Sequence, residues 1–264
     1  MPLLAACSDA PEAAAAPQKE AVAWELRPGD LALDYVAGDR FDTLLIEVDY
    51  VQGAAYSYES LETFTAVLAQ RLRKPGGIEL DIASDPIPAE GLPRIYRDVD
   101  IRELEFSHRQ SWSGDKQNRN RAVLWIVYLD GESRHDTEEA QALGASLGGS
   151  QIAVFSETLD RLTTAEYRDA AEARVLLHET GHVLGLVNNG VPMIADHEDL
   201  GHQFHDGYQL CIMHYRVELR DGHWTPNGTP LDFCYPCRVD LHAVDGPDPG
   251  PRLEGAPPGV DRIP

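Results

Sequence analysis

Two histidines, His178 and His182, bracket Glu179 in the run His178-Glu179-Thr180-Gly181-His182-Val183-Leu184-Gly185, an H-E-x-x-H-x-x-G pattern. On a helix, residues four positions apart lie on one face, so both imidazoles can reach one metal ion. Glu179 leaves the same turn, where a carboxylate can take a proton from a metal-bound water. A Lewis-acidic ion, a water and a base together make hydrolytic chemistry. Seven of the ten histidines fall between His178 and His223, which concentrates the candidate ligands in this part of the chain.

Catalytic zinc usually takes three protein ligands and keeps one position for water. A compact H-E-x-x-H-x-x-G-x-x-H pattern would place the third histidine at position 188, but that residue is Asn188, a poor zinc ligand. The third ligand therefore lies further on, among His197, His202 and His205. His197 is nearest the helix and sits in the acidic run Asp196-His197-Glu198-Asp199. The alternative role for His197 and His202 is that of solvated loop histidines. A His- and acid-rich segment here can also serve as a support for the ligands or as a gate for substrate.

Downstream, His205 is followed by Asp206, four residues, Cys211, Ile212 and Met213, and later by Cys234-Tyr235-Pro236-Cys237. With the helix motif, this resembles the archaemetzincins, which follow the glycine with a histidine, then C-x4-C-x-M, a spacer and C-x-x-C. The resemblance covers about 60 residues, counted from the motifs quoted. It departs at Asp206, which stands where the family has cysteine, in the inserted segment 188–204, and in a slightly longer spacer before Cys234. It implies a zinc metallopeptidase with His178, His182 and His205 on the catalytic zinc and His197 as the alternative third ligand. Met213 would be the methionine-turn residue, an apolar floor under the metal. The family's four cysteines hold a second, structural zinc. Here Cys211, Cys234 and Cys237 remain, and Asp206 or His214 would supply the fourth ligand. If the protein is exported, a disulfide, most simply Cys211 with one of the later pair, competes with that site. Tyr215 is a candidate donor to the developing oxyanion, with a packed strand tyrosine as its alternative.

The elements that must position this site read as an α+β chain. Thr43 to Val51 and Gly77 to Ala83 are expected strands, joined by a helix whose apolar face carries Leu61, Phe64, Val67, Leu68 and Leu72. Ile101 to Trp112 reads as a short helix, Arg121 to Leu129 as the central strand and Gln151 to Phe155 as another strand. Asp130 to Gly149 reads as a polar connection. Thr163-x-x-Glu166 reads as a capping box opening the metal-bearing helix, and Gly185 as its end. This order resembles the upper half of a zincin: a mixed twisted sheet with packed helices and an H-E-x-x-H helix, followed by a loop-rich C-terminal subdomain. The expected division is a signal and linker over 1–25, a metallopeptidase domain over 26–245 (upper half 26–187, C-terminal subdomain 188–245) and a disordered tail over 246–264. Folded pattern begins near Trp24, and Tyr215 to Leu219 reads as extended.

The charge balance, 22 basic against 44 acidic residues, argues against a nucleic-acid partner, because phosphate binding needs basic patches. No run of 18 or more apolar residues spans a membrane. Leu4-Ala5-Ala6-Cys7 resembles a bacterial lipobox, in which Cys7 would be lipidated, although a basic n-region and a full apolar h-region are missing. Either the true start lies upstream or the motif is accidental; the Ala- and Pro-rich tether over 10–17 favours the first. The expectation is an exported, lipid-anchored protein acting on peptides or proteins with one catalytic zinc, and a cytoplasmic one if the Cys7 motif is accidental. The competing expectations are a catalytically inactive zinc-binding envelope protein and a zinc amidase acting on cell-wall peptides.

Overall fold

The structure is a computed structural model and describes residues 26–138, 140–215, 219–220, 223–224 and 231–250. The expectations for Cys7, the 1–25 leader, Trp24 and residues 251–264 lie outside the described residues.

Chain order sets a mixed sheet. α1 (Ala32–Val36) leads into β1 (Thr43–Tyr50), α2 (Tyr58–Arg71) and β2 (Gly77–Ile82). β3 (Ile95–Tyr96) and α3 (Asp98–His108) precede β4 (Arg121–Leu129), β5 (Glu132–Ser133), β6 (Gly144–Leu147) and β7 (Gln151–Phe155). α4 (Ser156–Leu162), α5 (Arg168–Val183), β8 (Leu219–Arg220), β9 (His223–Trp224) and α6 (Tyr235–Ala243) complete the chain. Five strands run in the order β2-β1-β4-β7-β6. β1 is parallel to β2 and β4, β4 is parallel to β7, and only β6 is antiparallel to its neighbour. β4 lies in the middle, as its apolar run requires.

A strand covered on both faces reads as a continuous hydrophobic run. In β4, Ala122, Leu124, Ile126 and Tyr128 enter the cluster containing Leu61, Phe64 and Leu68 of α2 and Ala171, Val175 and Leu176 of α5. Trp125, Val127 and Leu129 enter the opposite cluster with Ile101 and Leu104 of α3. Helices therefore cover both sheet faces, and α5 is pinned to one of them.

A buried polar knot fixes α5 further. Glu172 is fully buried and accepts hydrogen bonds from Tyr128 Oη at 2.8 Å and the Ser57 amide at 3.0 Å, while Arg168 pairs with its second oxygen. Ser60 Oγ donates to the Asp169 carbonyl at 3.0 Å. The helix that carries the histidines is thus tied to the N-terminus of α2 and the central strand. Burial raises the Glu172 carboxyl above its ordinary value, opposed by these donors and by Arg168.

Three sequence expectations need correction, and one further helix was not anticipated. Thr163 does not cap α5: it ends α4, its hydroxyl donates to the Leu159 carbonyl at 2.7 Å, and α5 begins after Tyr167. The stretch 130–149 is not only a connection, since β5 and β6 form within it. The short helix runs from Asp98 to His108 rather than from Ile101 to Trp112. The C-terminal part carries α6, with Pro236 in its first turn, where a missing amide hydrogen costs no helical bond. No helix among the described residues is long and apolar enough to cross a membrane.

Candidate active site

The H-E-x-x-H segment occupies the last two turns of α5. Gly185 ends it with φ +75°, a left-handed conformation that suits glycine. The Leu186 amide returns to the Gly181 carbonyl at 3.0 Å, and Val187 and Asn188 continue at φ 54° and 62°. The chain therefore turns sharply off the helix. Asn188 donates to Glu198 at 3.4 Å and stands outside the histidine group.

His178, His182 and His205 each offer one ring nitrogen, and these atoms lie within 4.8 Å of one another. The Nε2 atoms of His178 and His182 are 3.3 Å apart. Two zinc–nitrogen bonds of about 2.0–2.1 Å at a tetrahedral angle set their donor atoms about 3.3–3.4 Å apart, so the pair fits. His178 Nδ1–H donates to the Ile212 carbonyl at 2.8 Å, and His205 Nδ1–H donates to the Gln203 carbonyl at 2.9 Å. Those bonds leave each Nε2 as a lone pair, since a carbonyl can only accept. Burial brings His178 down to about 4, and burial with the neighbouring rings lowers His182 and His205. Converging neutral imidazoles with inward lone pairs suit a soft or borderline cation.

Glu179 follows His178 on the helix and lies buried beside β6. Burial pushes its carboxyl up to about 7, against hydrogen bonds from the Ser146 side chain and backbone. A carboxyl held near neutrality can both take and return a proton.

Met213 lies under the helix, fully buried. A Cβ built on Gly181 would sit 2.1 Å from Met213 Sδ, so only glycine permits this approach. Gly181→Ala is therefore expected to cost about 1–3 kcal/mol through overpacking, read as a lower denaturant midpoint at unchanged slope. An unaltered midpoint would mean that Met213 swings away freely.

His197 does not join the histidine group. Its Nδ1 meets Asp206 Oδ2 and its Nε2 meets Asp240 Oδ2, each at 2.8 Å. Burial pulls this imidazole down, but the hydrogen bonds and charges of Asp206 and Asp240 outweigh it and push it up to about 10. His202 also stands apart, bonded to Asp199 and stacked on Tyr215 at a centroid distance of 3.4 Å. Tyr215 is not a packed strand residue; it is 40% exposed and lines the cleft beside His178.

A second group gathers Asp206, Cys211, Cys234 and Cys237, again with one ligand atom each within 4.8 Å. Sulfur–sulfur distances are 3.8 Å for Cys211–Cys237 and 3.5 Å for Cys234–Cys237, and Asp206 Oδ2 lies 3.1 Å from Cys234 Sγ. All three thiols are free in this structure. Two zinc–sulfur bonds of about 2.3 Å at a tetrahedral angle place the sulfurs about 3.8 Å apart, and this donor set fits. His214 lines the cleft instead and is not part of it. Against the upward pull of burial, hydrogen bonds from Cys234 and Cys237 bring the Cys211 thiol down to about 5.

Three neighbours of these groups escaped sequence reasoning. Ser146 belongs to the unrecognised β6, and Asp240 lies 43 residues from its partner His197. Arg174 had a usable signal: four residues before His178, it shares that helical face.

No protein-family model matches the chain, and no curated protein does. Among solved structures, it is similar to an archaemetzincin from Methanopyrus kandleri at 14% identity and a TM-score of 0.47, covering 78% of this chain and 96% of that one. It is also similar to a zinc-dependent peptidase from Methanocorpusculum labreanum at 18% identity and a TM-score of 0.43, covering 74% of this chain and 99% of that one.

Proposed function

We propose that the protein is a zinc-dependent peptidase of metzincin-like fold, with His178, His182 and His205 holding the catalytic zinc and Glu179 as general base. The convergence of three imidazole nitrogens within 4.8 Å, beside a buried carboxylate on the same helix, carries this assignment. When bound, zinc would act as a Lewis acid on the scissile carbonyl and make water acidic enough to attack near neutral pH. Glu179 takes the proton of the attacking water and hands it to the leaving amine. Ser146 favours the ionised form of Glu179 against the burial that raises it. Ile212 and Gln203 carbonyls hold two of the imidazoles in the tautomer that presents Nε2.

β6 ends the sheet with a neighbour on one side only, and Leu143 and Gly144 line the cleft. An extended peptide lying beside it would pair with that edge at Gly144, the Ser146 amide being engaged by Glu179, and bring a peptide bond to Glu179. Asp206, Cys211, Cys234 and Cys237 would hold a second zinc that ties α6 to the chain following His205. Met213 supports the helix from below.

The test is cleavage of a mixed peptide library by the zinc-loaded chain. Cleavage is expected to stop when a chelator removes the metal and to return with added zinc. Zinc bound at the three histidines without any cleavage would identify a non-catalytic zinc protein. Cleavage confined to cell-wall peptides would identify the amidase.

A further inference from the structure

Three arginines of the described residues are deeply buried: Arg109, Arg174 and Arg238. Arg109 pairs with Glu105 at 2.6 Å, and Arg238 has Asp232 at 3.7 Å. Arg174 enters no ion pair among the described residues. Its one described hydrogen bond runs from Nη2 to the Cys211 carbonyl at 3.1 Å, although a guanidinium carries five N–H donors. The residue is only 7% exposed. Burial lowers its pKa, but a guanidinium keeps its charge in proteins.

Arg174 borders the active-site cleft, close enough for its charge to act on His178. Arg174 lines a cavity of about 740 Å³ together with His178, Glu179, Val175, His214 and Tyr215. One helical turn separates it from His178, and side chains so spaced start about 5–6 Å apart. Glu138 also lines the cavity but stands exposed and forms no described ion pair with Arg174. A desolvated cation is costly unless it is paired; Cys211 is the one charge recorded as acting in its favour, and the cleft it borders is where a substrate carboxylate can add a second.

We infer that Arg174 forms a carboxylate-binding subsite that selects peptides carrying a carboxylate within a residue or two of the scissile bond. The planar fork of a guanidinium matches a carboxylate with two parallel hydrogen bonds. The carboxylate is either an aspartate or glutamate side chain or the free C-terminus of a short peptide. This rests on the peptidase reading above, whose substrate class it names.

The experiment compares the zinc-loaded wild type with Arg174→Met on matched peptides. One set replaces Glu by Gln at each position flanking the cleavage site; the other replaces a free C-terminus by its amide. Wild type is expected to favour one carboxylate over its neutral isostere by at least about tenfold in kcat/KM, because a site built to pair a group rejects analogues that lack it. A preference lost on Glu→Gln marks a side chain, and one lost on amidation marks the terminus. Arg174→Met should lose the discrimination, while Arg174→Lys, which keeps charge without the fork, should retain only part of it. Equal rates on acidic and neutral peptides, or a preference surviving in Arg174→Met, would overturn the subsite. Calorimetric binding of the same peptides to Glu179→Gln separates the two readings. If wild type cleaves nothing but acidic peptides still bind more tightly through Arg174, the peptidase falls and the subsite stands. If binding shows no discrimination either, the subsite falls as well.

Discussion

Replacing Glu179 with glutamine is expected to leave the metal content unchanged and to lower kcat/KM by about 10²- to 10⁴-fold, the usual contribution of a positioned general base. The amide has the shape of the carboxylate and keeps an oxygen to accept from Ser146, so the cleft wall at β6 should not move. It cannot hold the proton taken from water. Folding should be no worse, because a carboxyl raised to about 7 by burial is replaced by a neutral group that pays less for leaving water. Two readouts separate cause from collapse: metal per chain and the thermal midpoint must both match wild type while turnover falls. Wild-type turnover in Glu179→Gln would sink the assignment of this residue as base, whatever the fate of the zinc.

The parts of the site legible in the sequence share one property: their geometry is set locally. Four-residue spacing on a helix puts His178 and His182 together whatever surrounds them, and Gly185 ends that helix through its own backbone freedom. β4 was legible because a strand buried on both faces must be apolar throughout. Where partners come from afar, the signal fades. β6 is Gly-Ala-Ser-Leu, poor in β-branched residues, and becomes a strand because β7 offers a ladder. The Thr163-x-x-Glu166 pattern is locally sound as a cap, but α4 already occupies the chain up to Leu162 and uses Thr163 as its stop. His197 was a reasonable ligand by nearness alone; Asp240, on a helix hidden by the Cys-x-x-Cys motif, draws it away.

His205→Ala is expected to lose the metal of the histidine group and all cleavage, while the cysteine site keeps its own. Two histidines leave a zinc site one protein ligand short of the usual three, and the turn that carries His205 contains no substitute: His202 is held by Asp199 and Tyr215, and His197 by two aspartates. His197→Ala should produce the converse pattern. Removing the imidazole leaves Asp206 and Asp240 buried without the group between them, so Asp206 is no longer aimed at the thiols. Loss of such a supporting contact typically costs 10- to 100-fold in metal affinity, and here it should fall on the cysteine site alone. Cobalt substitution distinguishes the two, because thiolate-to-cobalt charge-transfer absorption reports only the site that contains Cys211, Cys234 and Cys237. If His205→Ala binds and cleaves as wild type does, the third ligand has been misassigned. If His197→Ala empties the histidine group instead, the 188–204 segment serves the catalytic metal directly, and the pairing of His197 with Asp206 and Asp240 is not what positions Asp206.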